Sequence, residues 1–460
     1  MDIQSEKFQQ SPIQETKVVE DMVDIECGVS FIENDIYELY EHMDKAPLHF
    51  IKDIIFKGAA VDLDVITFCA RQIVDRHPIA RTLFKTSVSK GLERQIVSKE
   101  NQLDFRTLSD SSNDAEYRTF SVESFNLEKS GPVRFISSSS SSSSPSSFRV
   151  RLVCHVIGFD SFALGKFISD FQSLVVAKAS NRKISLSVNY DHVGLKELQD
   201  IFHSNQKQTE SFWRGEVPKS ISNLNLNGKF NSSTNTTSKV TNLKLDDQLS
   251  RAIFNLEHSL DTTLLKLFVS FYQLLLYINT GEEFVHVITK HNLRPMLFQS
   301  SHEICNLTND IPLFAKISTS STVSDFIIEN SKTIQKYFNN AIYPYSLIEK
   351  MVSSDECRNN LKRHCVVQEE AKKTVPAKSL GLLYDTLLIV NSNSTTKSID
   401  VQLQYRSSLY TSSEAKILLD QLHQILPLVT SNYNMVISNI GKSVGFLHKR
   451  KAGDHHGNST

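Results

Sequence analysis

The stretch NLNLNGKFNSSTNTTS, Asn223 to Ser238, constrains the fold more than any other part of the chain. Asn, Ser, Thr and Gly bury little area and favour turns, so this stretch reads as a flexible connector. It falls near the middle of a chain of 460 residues, and strands and helices alternate on both sides of it. Two α/β lobes of roughly 150 to 200 residues are therefore expected. The N-terminal lobe should run over residues 25 to 222 and the C-terminal lobe over 239 to 446. A polar, apolar-poor leader precedes them at 1 to 24, expected to be disordered, and a flexible tail closes the chain at 447 to 460.

In the first half, FIKDIIFKG reads as a strand, and LDVITFCARQIVDRHP as a helix with Ile66, Cys69, Ala70 and Ile73 on one face and Pro78 past its end. GPVRFI reads as a strand ending at Ile136. Serines occupy every position from Ser137 to Ser144, so residues 137 to 147 are expected to form a low-complexity loop insertion. FRVRLVCHVI then resumes strand character. A helix should follow Asp160, then a strand KISLSVNY and a helix from Leu195 to Phe202, before the single Trp in ESFWRGEVP. Beyond the connector, Thr262 to Ile278 places Leu264, Leu267, Phe268, Phe271, Leu274, Leu275 and Ile278 at helical spacing, which marks a core helix. Further strands are EFVHVIT, IPLFAKI, TLLIVNS and SIDVQLQYR, with helices TVSDFIIENSKTIQKYF and SEAKILLDQLHQIL between and after them.

Composition excludes several classes. The 50 Lys and Arg balance 51 Asp and Glu, leaving a net charge of -1 that offers no general attraction to nucleic acid or anionic membrane. The six cysteines form no CxxC pair and no short Cys/His set, so no metal site is expected and free thiols are. Leu264 to Ile278 is interrupted by Lys266, Ser270 and Gln273 and is too short to span a bilayer. The N-terminus lacks the basic start and apolar core of a signal peptide, so a cytoplasmic protein is expected.

The stretch CHVIGFDSFALGKF, Cys154 to Phe167, places a His and an Asp on the loop that follows a buried strand. A loop of this kind can present a base to a reacting group. Among the other histidines, His77 ends a helix, where helix-dipole attraction accounts for it, and His286 and His291 flank a strand. Ser161 and Cys154 border the motif without an identifiable base or oxyanion site. Gly58, Gly158 and Gly165 form no phosphate loop.

Taken in order, several segments resemble the condensation domains of nonribosomal peptide synthetases, members of the chloramphenicol-acetyltransferase-like acyltransferase superfamily. RHPIARTLF, Arg76 to Phe84, is similar to the family's R-H-x-x-L-R-T-x-F, and FWRGEVP to its Y-W-x-x-x-L stretch. Leu260 to Pro295 resembles its helix, T-G-x-x-D turn, strand and G-R segment. NLTNDIPL is similar to F-V-N-T-L-P-L, and YPYSLIEKM to P-F-E-x-L-V-E-x-L. The resemblance runs from about Cys27 to Leu426. It implies a two-lobed α/β fold, each lobe a mainly β sheet flanked by helices, with a cleft between the lobes.

The family motif H-H-x-x-x-D-G falls without a gap on His155, Val156, Ile157, Gly158, Phe159, Asp160 and Ser161. The second His, credited in the family with handling the acceptor's proton, is therefore replaced by Val156. A register shifted by one would make His155 the catalytic residue but put Phe159 in the place of the Asp. The resemblance gives Asp160 a structural role in an ion pair, with Arg81 the preferred partner and Arg294 the alternative. It also implies transfer of an acyl group from acyl-CoA or a phosphopantetheinyl thioester to a small-molecule amine or hydroxyl acceptor, with no bound cofactor. Any acyl-carrier or peptidyl-carrier protein is expected to act in trans. The rival reading is a catalytically degenerate binding module for a carrier protein or another partner.

Overall fold

The computed structural model describes residues 25–43, 45–57, 61–87, 91–96, 103–108, 114–140, 147–182, 193–226, 237–298, 302–370 and 383–444. The leader, the tail, Gly58 and the segment KISLSVNY lie outside these residues, as does the middle of the connector. The strands of the first half are β1 (Ile25–Gly28), β2 (His49–Lys57), β3 (Thr82–Ser87), β4 (Gly91–Ile96), β5 (Asp104–Leu108), β6 (Val133–Ser140) and β7 (Ser147–His155). Those of the second half are β8 (Ser238–Lys244), β9 (Phe284–Asn292), β10 (Thr308–Lys316), β11 (His364–Glu370), β12 (Thr386–Asn393) and β13 (Ser398–Arg406).

They form a small sheet β1-β4-β3, a four-stranded sheet β2-β7-β6-β5 and a six-stranded sheet β10-β9-β11-β12-β13-β8. In the four-stranded sheet β7 is central, pairing with β2 and β6 on either side. Its apolar residues Val150, Leu152, Val153 and Cys154 are wholly buried, and its last residue, His155, delivers the chain to the motif loop.

The helix Leu264–Thr280 is capped by Thr263 at its start and stopped by Gly281, whose φ of 77° is a left-handed value that only glycine adopts cheaply. Its apolar residues lie inside the core of the second half, and Ser270 and Gln273 are buried among them. One apolar cluster fills that core. The other, beneath the four-stranded sheet, continues across to Ile288, Cys365, Val367, Leu387 and Ile389, which stand on the face of the six-stranded sheet that meets the first half.

Two segments differ from expectation. Strand β6 does not stop at Ile136. Ser137 to Ser140 extend it, pairing with Val150 to Ser147, and Ser137 and Ser138 are buried. A serine backbone completes a ladder as well as any other when the strands on both sides are already in place. Residues 141–146 lie outside the described set. The helix expected over Leu195 to Phe202 runs on from Val193 to Glu216, taking Trp213 with it. Leu195, Leu198, Phe202 and Trp213 all pack into the core of the second half, although they precede the connector.

Candidate functional site

The motif loop leaves β7, makes a tight turn and enters the helix Ser161–Ala179. The amides of Gly158 and Phe159 both donate to the His155 carbonyl at 3.2 Å. Gly158 is obligatory for space, since a Cβ there would lie 2.8 Å from the Pro132 ring and 3.0 Å from Ile79.

His155 is wholly buried and faces the protein interior. The Ile157 amide donates to its Nδ1 at 3.1 Å, which makes Nδ1 the acceptor and leaves the proton on Nε2. Nε2 has no hydrogen-bond partner among the described residues, and the rings of Tyr40 and Phe125 stand across the imidazole with centroids at 4.6 and 5.7 Å. Burial, and then the neighbouring His49, hold its pKa well below the ordinary histidine value. His155 is thus a neutral core residue with its only free lone pair already used. Its side chain is not presented to a substrate.

Val156, the next residue, is 7% exposed, and its carbonyl accepts a hydrogen bond from Asn306 Nδ2 at 2.6 Å. Asn306 belongs to the second half, so the motif loop is held directly against it. The segment NLTNDIPL signalled this region, but nothing in its pattern singled out Asn306.

Asp160 does more than brace its own loop. Its Oδ1 accepts from the Ala163 amide at 2.8 Å, capping the helix Ser161–Ala179. Its Oδ2 accepts from Arg294 Nη1, from the Leu307 amide at 2.9 Å and from Thr308 Oγ1 at 3.2 Å. Arg294 is 4% exposed and Asp160 6%, so the ion pair is buried. The Arg294 guanidinium also donates to the carbonyls of Cys305 and Glu303 and lies over the Phe162 ring at 4.4 Å.

Arg81, the preferred partner from sequence, is not among the groups around Asp160. It is buried at the end of the short 3-10 turn Pro78–Arg81, whose Ala80 carbonyl presses so close to Gly131 that a Cβ there would lie 2.0 Å away. That turn belongs to the packing of the first half. Arg294, which follows β9, stands on the opposing half and fills the role.

The remaining candidates are structural. His77 is buried with Nε2 3.5 Å from Asp170, and burial lowers its pKa. His286 Nε2 donates to the Asn360 carbonyl at 3.0 Å, and His291 stacks on Phe338 with centroids 4.2 Å apart. Cys154 is buried and its thiol pKa is pushed up by burial, so it is no nucleophile. Ser161 Oγ donates to Glu369 Oε1 at 3.1 Å, a contact from the motif helix to β11.

Strand pairing assembles a further group that sequence spacing does not show. Lys290 of β9 lies opposite Asp310 of β10, with Nζ and Oδ1 2.7 Å apart, and Tyr384 OH donates to Asp310 Oδ2 at 2.8 Å. Burial works to raise the Asp310 pKa, but Lys290 beside it holds the carboxyl below its usual range. Burial likewise opposes the charge on Lys290, and Asp310 restores it. Asp310 is two residues beyond Thr308, so this charged group shares a strand with the Asp160 brace. Among the described residues, no group of three or more His, Cys, Asp or Glu could hold a metal ion. Cys69, Cys154, Cys305, Cys357 and Cys365 are free, and no described helix is long and apolar enough to cross a membrane.

The model of the condensation-domain family matches residues 37–442. The chain belongs to the condensation-domain family. No curated protein matches it significantly in sequence. Among solved structures, this condensation domain is similar to a four-domain nonribosomal peptide synthetase bound to AMP and glycine, with TM-score 0.76 and 12% identity over 92% of the chain. It spans only 34% of that protein. It is also similar to the condensation domain of the monacolin K polyketide synthase MokA, with TM-score 0.71 and 13% identity, covering 90% of this chain and 99% of that one. The X-domain from teicoplanin biosynthesis, solved in complex with OxyB, gives TM-score 0.74 and 15% identity, covering 94% and 98%. At these identities the likeness shows the two-lobed chloramphenicol-acetyltransferase-like fold, and the motif must be judged on its own geometry.

Proposed function

We propose that this condensation domain is a recognition module for a carrier protein or another protein partner, with little or no acyl transfer of its own. The observation that carries this reading is the state of the motif. An attacking amine or hydroxyl must lose a proton, the residue in the proton-handling position is Val156, and the neighbouring His155 is buried with its acceptor nitrogen occupied. The similarity to an X-domain solved with a protein partner is consistent with it.

A second reading draws on the Asp160–Arg294 brace, which keeps the motif loop in place between the halves. On that reading the domain transfers an acyl group slowly from acyl-CoA or a phosphopantetheinyl thioester to an amine or hydroxyl, through positioning and electrostatic stabilisation. The two separate in one experiment. Native protein is titrated with a phosphopantetheinylated carrier protein and, in parallel, assayed for turnover of an acyl-CoA panel with amine and alcohol acceptors. Saturable carrier binding with turnover at the background rate supports recognition. Robust turnover overturns it.

A further inference from the structure

We propose that two copies of this chain join along the free edge of β2, antiparallel about a two-fold axis at Ile55, so that their four-stranded sheets run on as one. This goes beyond the recognition reading and does not depend on it.

The Val156 amide donates to the Leu48 carbonyl at 3.0 Å, in register with His49 opposite His155. Bonded and non-bonded pairs alternate along an antiparallel ladder, so Phe50, Lys52, Ile54 and Phe56 exchange their bonds with β7, and the N–H and C=O groups of Ile51, Asp53, Ile55 and Lys57 point away from it. Among the described residues β2 pairs with β7 alone, and no other hydrogen bond reaches the backbone of residues 51–57. Such an edge is a template for a further strand. The remaining edges of the two larger sheets are guarded. The same alternation, started from the Leu293 amide on the Leu307 carbonyl, turns Pro312 to the free edge at the midpoint of β10, where it has no N–H to offer. Strand β5 has five residues, and β8 carries Lys239 and Lys244 with no acidic residue to match them.

The side chains choose the partner and the register. Asp53, Ile55 and Lys57 stand on the sheet face opposite the buried Ile54 and Phe56, and Ile55 is 57% exposed. The outward groups can bond only where odd-numbered residues face odd-numbered ones. Centring the pair on Asp53 would oppose two carboxylates, and centring it on Ile54 would set Asp53 against Ile55. Centring on Ile55 packs the exposed isoleucines together, puts Asp53 of each copy opposite Lys57 of the other, and lets every one of these pairs exchange both backbone bonds. On the buried face Ile54 then meets Phe56 of the second copy. Within its own sheet Asp53 accepts from Arg151 at 2.6 and 2.7 Å, so the incoming lysine joins a charge pair that is already in place. A strand whose charges complement themselves about a two-fold axis suits an isologous dimer.

Sedimentation equilibrium on the full chain tests the dimer. Native protein should pass from one to two copies as its concentration rises. Lys57→Asp leaves only carboxylates at the two charged positions and Asp53→Lys only amines, so each variant alone should self-associate about tenfold more weakly than native. Mixed together, the two variants restore opposite charges in every pair and should dimerise with near-native affinity. Ile55→Pro removes an amide that the chain's own sheet does not use, so it should keep the native circular dichroism spectrum and remain a monomer. Native protein that stays monomeric up to about 100 μM overturns the proposal. If an alternating Glu-Val peptide then slows amide exchange in residues 49–57, the edge serves a foreign strand instead. A native dimer that persists in Ile55→Pro, or a mixture of the charge variants that associates no better than either alone, overturns it too.

Discussion

In the gap-free register, position 156 carries an isopropyl group where the family motif has its second His, and no local adjustment gives valine a lone pair. Val156→His should therefore raise any measurable acyl transfer over the native background, by about 10² to 10⁴, which is what a positioned general base supplies. A steady-state assay on an acyl-CoA panel checks it. His155→Ala should leave that background alone and act on stability instead. Removing a ring packed between Tyr40 and Phe125 should cost about 2 to 4 kcal/mol in denaturant unfolding. Robust native turnover abolished by His155→Ala would mean that the shifted register operates after all. The valine at the motif's second position is legible in the sequence because the motif is local. The burial of His155 is not, because it depends on Tyr40 and Phe125, which come from distant parts of the chain.

The motif helix and the strands it meets are joined through one carboxylate, so Asp160→Ala removes a helix cap and leaves Arg294 buried without its counter-charge. Together these should cost about 3 to 5 kcal/mol. A double-mutant cycle should give strong coupling between Asp160 and Arg294 and none between Asp160 and Arg81. Sequence reasoning reached Asp160 and both arginines but ranked the arginines in the wrong order. A motif on each side of a fold says which residues converge on a region, not which faces the carboxylate. Arg81 shares the first half's packing with Gly131, whereas Arg294 leaves β9 opposite the motif. Ser137 to Ser140 show the complementary limit: side-chain character argued for a loop, while the strands on either side decided for a strand. Lys290 and Asp310 were equally invisible, since only the register of β9 with β10 brings them together.

The molecule as a whole should be sensitive to acid. Burial lowers the pKa of His49, His286 and His364 to about 4, each at most 3% exposed. The unfolded chain binds protons at these sites from about pH 6.5 downward, where the folded chain does not. Stability should therefore be full above pH 6.5 and fall below it, by about 2 kcal/mol per histidine at pH 5. Asp35 works in the opposite sense. This residue of the helix Phe31–His42 accepts from the Ser346 amide at 3.2 Å, supplying a cap across the halves to the helix Tyr345–Glu349, which lacks a side-chain cap of its own. Burial pushes its pKa up to about 6. Its contribution is greatest when protonated, below the ordinary carboxylate value, and is lost as pH rises through about 6. Asp35→Asn should therefore stabilise the protein by about 1 to 3 kcal/mol at pH 7.5 and by nothing near pH 4, in denaturant titrations at both pH values.

The helix Val193–Glu216 gives the chain a packing boundary that differs from its compositional one. A cut at residue 223 follows the change in composition, yet it strands Leu198 and Trp213, both fully buried against the second half, on the first fragment. Two polypeptides made by splitting there would each expose an apolar surface shaped for the other, so they belong in one expression host as a complementing pair. A split reporter built on this protein would have its adhesive surface already in place.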